Sequence, residues 1–419
     1  MSMRMVWSQV VTMTAVAASL VATACTDHHM TDPVSAPPPN AVLRLATSPV
    51  EQPPASILWN SIARDFIANK PATAKPNQQA TLRAFAYLSL AQYRAVVAAR
   101  QLHGERVPAS RGAAAAASAA MLSALFPADA AYFASQLQLQ ENETSSSDDA
   151  RRAFAAGEVV GLAVADQVAQ SARTDGFDAV WTGTVPVGPG LWSSDFDPPR
   201  APLLPLLGQM RPFFMSSGHQ FRPGPPPKFG SKRYLKALAE IRRFSDMRRP
   251  DQLRIAQFWA MTTGSLVAGF WNEQAADRIV RYHLDERRAA HALALMNMAA
   301  MDANIACHDA KYTYWLIRPY RVDANITVPI TKPQHPSYPS NHACVSGTAA
   351  YLLAAFFPSD AEQLVAMADE AGESRLYAGI HYRFDKDAGL RIARQVSALA
   401  LGNEGDEDDA DDTGESARR

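Results

Sequence analysis

The sequence predicts an all-α protein, built as helical bundles joined by one long proline-rich connector. Three observations carry that expectation. Apolar residues recur at three-to-four spacing through "WNSIARDFIAN", "TLRAFAYLSLAQYRAVVAARQL", "AAAAASAAMLSALF" and "DDARRAFAAGEVVGLAVADQVAQ", and the pattern returns from Tyr234 to about Leu401. Alternating runs of the strand type are scarce. Between the two helical stretches, 11 of the 29 prolines fall in Val185–Lys228, a connection long enough to be functional or to wrap the surface of the fold. With 419 residues, 47% of them hydrophobic and 19% charged, the chain can build one large core or two smaller ones.

Residues 1–24 have the pattern of an export signal: Arg4 precedes an uncharged stretch, Val10 to Ala24, too short for a membrane span. The stretch ends in "VATAC", which resembles a bacterial lipobox with Ala22 where Leu is usual. Lipidation of Cys25 would make this a periplasmic or cell-envelope lipoprotein, touching the membrane through that anchor alone. Residues 25–54 are polar and Pro-rich, as suits a tether. Cys307 and Cys344 then remain, enough for one disulfide in an exported chain, and their pairing is left open. An N-terminal helical half is expected over 55–183, the connector over 184–230 and a C-terminal catalytic helical half over 231–402. Ile255 to Trp271 and Cys344 to Phe357 are each expected to be a buried core helix rather than a membrane span.

The formal net charge of −1 hides an asymmetry. Residues 403–419, "NEGDEDDADDTGESARR", carry eight acidic residues and two Arg and are expected to form a disordered tail. Without them the chain has 38 Lys+Arg against 33 Asp+Glu, too mild a surplus for a nucleic-acid partner, and no nucleic-acid-binding motif is present.

Three polar clusters interrupt the apolar C-terminal half. In "KYTYWLIRP", Lys311 and Arg318 lie seven residues apart, about two helical turns, so a helix ended by Pro319 would face both the same way. In "HPSYPSNHA", Ser340, Asn341 and His342 stand at the mouth of an apolar helix, whose N-terminus favours an anion through its free N–H groups and its dipole. In "SRLYAGIHYRFD", Arg375 precedes His381, and Asp385 falls four residues later, on the same face if the segment is helical. Lys311, Arg318 and Arg375 together would cradle a tetrahedral oxyanion. One histidine could attack or ligate its central atom and the other pass protons, with Asp385 holding a ring nitrogen. Alone, each cluster is an ordinary solvated face, turn or surface pair. Together, inside apolar sequence where unpaired charge is costly, they point to one site.

The three clusters, Lys311…Arg318-Pro319, Pro339-Ser340-Asn341-His342 and Ser374-Arg375…His381…Asp385, resemble the three signatures of the type 2 phosphatidic acid phosphatase/vanadium haloperoxidase superfamily. "GLWSSDFDPPRAPLLPLLGQMRPFFM", "QFRPGPPP" and "GFWNEQA" are similar to its bacterial vanadium-haloperoxidase-type branch, and the likeness covers most of residues 55–400. The resemblance implies the fold of the vanadium haloperoxidases and acid phosphatases. It implies that Lys311, Arg318 and Arg375 bind the equatorial oxygens of vanadate or phosphate, with Ser340 and the backbone N–H of Asn341 adding hydrogen bonds. His381 would be the vanadate ligand or the nucleophile towards phosphate, Asp385 would orient it, and His342 would be the general acid/base. Asn341 stands where the family usually has Gly; Asn tolerates positive φ, yet its side chain could crowd the apical space. His335 and His308 fall where haloperoxidases line the halide pocket, and bromide-oxidising members similarly carry a His at the first.

Three functions follow. The leading one is a vanadate-dependent haloperoxidase using hydrogen peroxide and halide, with bromide favoured. The second is an acid phosphatase that hydrolyses phosphomonoesters without a metal, through a phosphohistidine at His381. The third, a non-catalytic anion-binding lipoprotein, leaves His381, His342 and Asp385 without a purpose.

Overall fold

A computed structural model describes residues 53–102, 109–144, 147–261 and 264–416, with side chains up to Gly402. The expected signal segment, Cys25 and nearly all of the tether lie outside the described residues. The N-terminal helices are α1 (Ala55–Asn69), α2 (Gln78–Gln101), α3 (Ser110–Leu125), α4 (Ala130–Glu143) and α5 (Asp148–Arg173). Local signals start them. Asn77 accepts from the N–H of Ala80 at the head of α2, and Ser147 from that of Ala150 at the head of α5. The Ala-rich α3 lies so close to α5 that a Cβ at Gly112, Gly157 or Gly161 would run into the facing backbone.

The C-terminal helices are α6 (Lys232–Asp246), α7 (Pro250–Phe258), α8 (Leu266–Arg281), α9 (Glu286–Tyr314), α10 (Pro319–Val322), α11 (Asn341–Phe356), α12 (Ala361–Tyr377) and α13 (Arg383–Ser416). Among the described residues there is no β-strand beyond the isolated bridge between Leu191 and Leu316. The expected all-α class is what the structure shows. No helix among the described residues is long and apolar enough to cross a membrane.

The 29-residue α9 is the centre of the core. Its sequence is apolar nearly all round, which suits a helix surrounded by others. It packs against α2 from the N-terminal half and against α11 and α13 from its own. Polar links fix these contacts. Glu286, in the first turn of α9, accepts from the N–H groups of Ala55 (2.5 Å) and Ser56 (2.9 Å) and so caps α1. A buried chain of Asn60, Asn272, Asn297 and Ser89 ties α1, α8, α9 and α2 at 2.6–3.0 Å.

The connector wraps α9 and its C-terminal continuation, through side chains that meet its backbone. Asp302, fully buried in mid-α9, accepts the N–H groups of Phe213, Phe214 and Met215 at 2.7–2.9 Å. Arg222 forms a two-pronged pair with Asp309, while Tyr312, Tyr314 and Tyr338 donate to the carbonyls of Leu203, Pro223 and Gly224.

Two local expectations are corrected. Ile255 to Trp271 is not one helix: α7 ends at Phe258 and α8 begins at Leu266, because Met261, Gly264 and Leu266 take positive φ around the polar run that starts at Thr262. Pro319 does not end the helix that carries Lys311. That helix stops at Tyr314 on a left-handed Trp315 (φ 50°), and Pro319 opens α10. The backbone of α13 is helical to Ser416.

Candidate active site

Four segments build the site: the end of α9, the extended stretch Leu316–Arg318, the loop His335–Ser340 leading into α11, and the α12–α13 junction. Lys311 arrives on α9. Arg318 does not share its helical face. Beyond the Trp315 turn the chain runs extended, held by Ile317 N–H to Gly190 C=O (2.9 Å) and by Ser337 N–H to Leu316 C=O (2.9 Å). This path still brings Arg318 inward. It donates to the carbonyls of His335 (3.0 and 3.1 Å) and Ile380 (2.7 Å), to Nδ1 of His335 (3.1 Å) and to Nε2 of His381 (3.0 Å).

His381 precedes α13 rather than lying on it. Asp385 sits in the first turn of α13, where its Oδ2 accepts the N–H of Tyr382 (3.1 Å) in the manner of a capping residue, the hydroxyl of Ser337 (2.5 Å) and Nδ1–H of His381 (2.8 Å). The pair therefore meets through a helix start instead of an i,i+4 face. With its proton on Nδ1, His381 turns its Nε2 lone pair into the site, where Arg318 donates to it.

The N-terminus of α11 is open. Its first helical bond runs from Cys344 N–H to Ser340 C=O (3.0 Å), which leaves the N–H groups of 341 to 343 without helical acceptors. Ser340 is fully buried and its Oγ has no partner. His342 donates from Nε2 to the carbonyl of Trp259 (2.7 Å), and Arg375 donates to the carbonyl of Ala256 (2.8 Å), both at the end of α7. Lys311 gives its three protons to the carbonyls of Pro336 (2.9 Å), Ser337 (2.9 Å) and Pro339. It shapes the loop and lends its charge from behind.

The charge balance is lopsided. Lys311, Arg318 and Arg375 are 0, 0 and 2% exposed, and no carboxylate among the described residues lies within ion-pair distance of any of them. Asp385 is the acidic group near them. Burial, reinforced by the neighbouring Arg318 charge, pushes Lys311 down to about 8 and Arg375 to about 9. Burial first, then adjacent cations, holds His342, His381 and His335 well below the usual histidine range, so all three are neutral near pH 7. Asp385 is raised to about 6 by burial, opposed by its bond from Ser337. Three buried cations facing one carboxylate, an unpartnered buried hydroxyl and an open helix N-terminus suit a multiply charged oxyanion, phosphate or vanadate alike.

Sequence reading missed Ser337 and Gly389. Ser337 stood in the same nine-residue stretch as Ser340, but only the fold aims it at Asp385. Gly389, on α13, is a contact point: a Cβ there would lie 2.7 Å from the carbonyl oxygen of Ser340 and 2.8 Å from Cβ of Ala343. Gly389→Ala is expected to push Ser340 out of line and weaken inorganic phosphate binding at least tenfold, with the helical circular-dichroism signal kept; calorimetric titration checks this.

His308 and His335 have ring centroids 6.0 Å apart. His308 is fully buried and burial lowers it to about 3. Cys307 and Cys344 are free, buried thiols beside one another, so the disulfide that the sequence left open is not formed.

Residues 291–403 match the model of the PAP2 superfamily, the one that the three motifs resemble. The chain is similar to the non-specific acid phosphatase of Providencia stuartii, 28% identical over 186 residues, which cover 43% of this chain and 72% of the relative. Its fold is that of solved vanadium-dependent enzymes. A bacterial vanadium-dependent iodoperoxidase aligns with a TM-score of 0.73 at 22% identity, over 85% of this chain and 98% of that one. A bacterial vanadium-dependent chloroperoxidase in its apo form aligns at 0.63 and 13% identity, over 80% and 96%.

Proposed function

We propose that this protein is a haloperoxidase-type enzyme that holds vanadate in the buried cradle and uses hydrogen peroxide to oxidise halide, bromide better than chloride. The uncompensated positive charge of Lys311, Arg318 and Arg375 carries this reading, and the likeness of nearly the whole fold to haloperoxidases supports it. Arg318, Arg375, Ser340 and the N–H of residue 341 would hold the oxygens of vanadate, and Lys311 would act mainly through its charge. His381, held by Asp385, offers Nε2 to the central atom. Bound there, vanadate supplies the Lewis acidity that activates peroxide toward a halide. Br⁻, H₂O₂ and H⁺ then yield HOBr and water, with His342 moving the proton at Nε2. Chloride is harder to oxidise, and His335 and His308 make the adjoining wall polar rather than dry.

The similarity to an acid phosphatase favours a second reading, phosphomonoester hydrolysis through a phosphohistidine at His381. Both are tested by assaying purified protein with bromide and peroxide after vanadate loading, and with p-nitrophenyl phosphate without vanadate. Bromide turnover exceeding chloride turnover is the expected result. Brisk ester hydrolysis with no halide turnover would put the phosphatase first, and neither activity would remove both.

Anion affinity should also depend on pH in a defined sense. Lys311 is lowered to about 8 in the free site, and a bound anion raises it again. Affinity for a fixed-charge oxyanion such as sulfate is therefore expected to be flat between the Asp385 and Lys311 transitions, about 6 and about 8, and to fall by up to tenfold per unit above the second. Binding near that pH should take up protons, which calorimetry in two buffers of different ionisation enthalpy measures.

A further inference from the structure

Asn341 occupies the first position of α11, beside the anion cradle, and its side chain is held away from it. Its Nδ2 donates to Oδ1 of Asn304 at 2.7 Å. Its Oδ1 accepts from the thiol of Cys307 at 3.0 Å. Asn304, Cys307 and Lys311 fall on one face of α9 at offsets 0, 3 and 7, and all three are fully buried. In this orientation the thiol donates to the amide oxygen while the amide nitrogen donates to Asn304. The backbone at 341 is helical and is absent from the residues with positive φ, so a glycine's freedom is not what this position needs. It needs a place for the side chain, and α9 supplies one. The neighbouring thiol of Cys344, fully buried, packs against Cys307.

We propose that Cys307 and Asn304 are positioning residues of the oxyanion site: they clamp the amide of Asn341 against α9, which keeps the space before the N–H of residue 341 clear and that N–H aimed at the anion. The inference rests on the oxyanion reading of the site. Loss of the thiol leaves the half-buried amide oxygen without this donor, and the amide then recovers a partner by swinging toward the cradle, where the free N–H groups and arginines offer donors. Without its clamp, Asn341 competes with the anion.

The test is a double-mutant cycle read by calorimetric titration with inorganic vanadate. Cys307→Ala is expected to weaken binding about tenfold. Cys307→Ser, which keeps a donor, should recover most of that loss. In the Asn341→Gly background, Cys307→Ala should change affinity less than twofold, since there is no side chain left to clamp. Asn304→Ala should repeat the pattern. A merely structural cysteine would lower thermal stability and affinity equally in both backgrounds, and that result overturns the proposal. So does unchanged vanadate affinity in Cys307→Ala. Failure of the wild type to bind vanadate or phosphate at all would instead sink the oxyanion site itself, which separates the two ideas.

Discussion

His381→Ala is expected to abolish tight vanadate binding and all turnover, whereas His342→Ala should still bind vanadate and lose roughly 10²–10⁴-fold in rate. The two histidines differ in what holds them. His381 is fixed at both nitrogens, Nδ1 on Asp385 at 2.8 Å and Nε2 against Arg318 at 3.0 Å, so its lone pair is aimed and its ring cannot turn. Nothing else in the cradle offers a neutral nitrogen in that place. His342 touches a single backbone carbonyl, that of Trp259, and its burial keeps it neutral with a movable proton. Under the phosphatase reading the same pair should separate by trapping: His342→Ala would accumulate phosphorylated protein and His381→Ala none. Vanadate calorimetry on both variants decides the matter, and equal affinities would mean that the roles are misassigned.

Asp302→Ala should produce the largest loss of stability among single changes far from the cradle's own side chains. One fully buried carboxylate accepts three successive backbone N–H groups of the connector. Removing it strands three donors at about 1–3 kcal/mol each, on the order of 3–9 kcal/mol in all and comparable with the whole stability of many domains. Asp302→Asn keeps an acceptor and should lose about half as much. The denaturation midpoint should fall with the slope unchanged for Asn, and a midpoint unchanged in Ala would refute the assignment. Because Asp309, seven residues on, holds Arg222 of the same connector, release at Asp302 should also raise proteolytic cleavage between residues 200 and 230.

The helices of this protein were legible because their signals are local. Three-to-four spacing, an Asn or Ser cap and an uncharged run are properties of a short window, and α1 to α3, α5 and α11 lie close to where periodicity puts them. The motifs were legible for a related reason: charged side chains inside apolar sequence need a shared purpose wherever the chain takes them. Where periodicity misled, a single backbone conformation was responsible. Trp315 in the left-handed region turns the chain out of α9, so Arg318 reaches the site extended and not on the face of Lys311. His381 likewise stands before a helix, and Asp385 meets it by capping that helix.

By itself, the sequence determined which chemical groups this protein brings to one place: three cations, two histidines, a carboxylate and a hydroxyl, with the helix that opens at Asn341. Only the tertiary structure decided how they are used. Lys311 was expected to touch an oxyanion, yet the loop 336–339 curls over its ammonium and takes all three protons. Asn341 was expected to threaten the apical space, yet a thiol and an amide four helical positions or fewer apart draw it aside. Ser337 and Gly389 carried no signal of their own, because a hydroxyl pointing at a distant carboxylate and a missing Cβ beneath a distant carbonyl are facts about pairs of segments. Periodicity and motif spacing describe neighbours along the chain. Hydrogen-bond partners and close backbone approaches depend on how helices 40 to 50 residues apart come to rest on each other, and burial, which makes each such partner obligatory, exists only once they have.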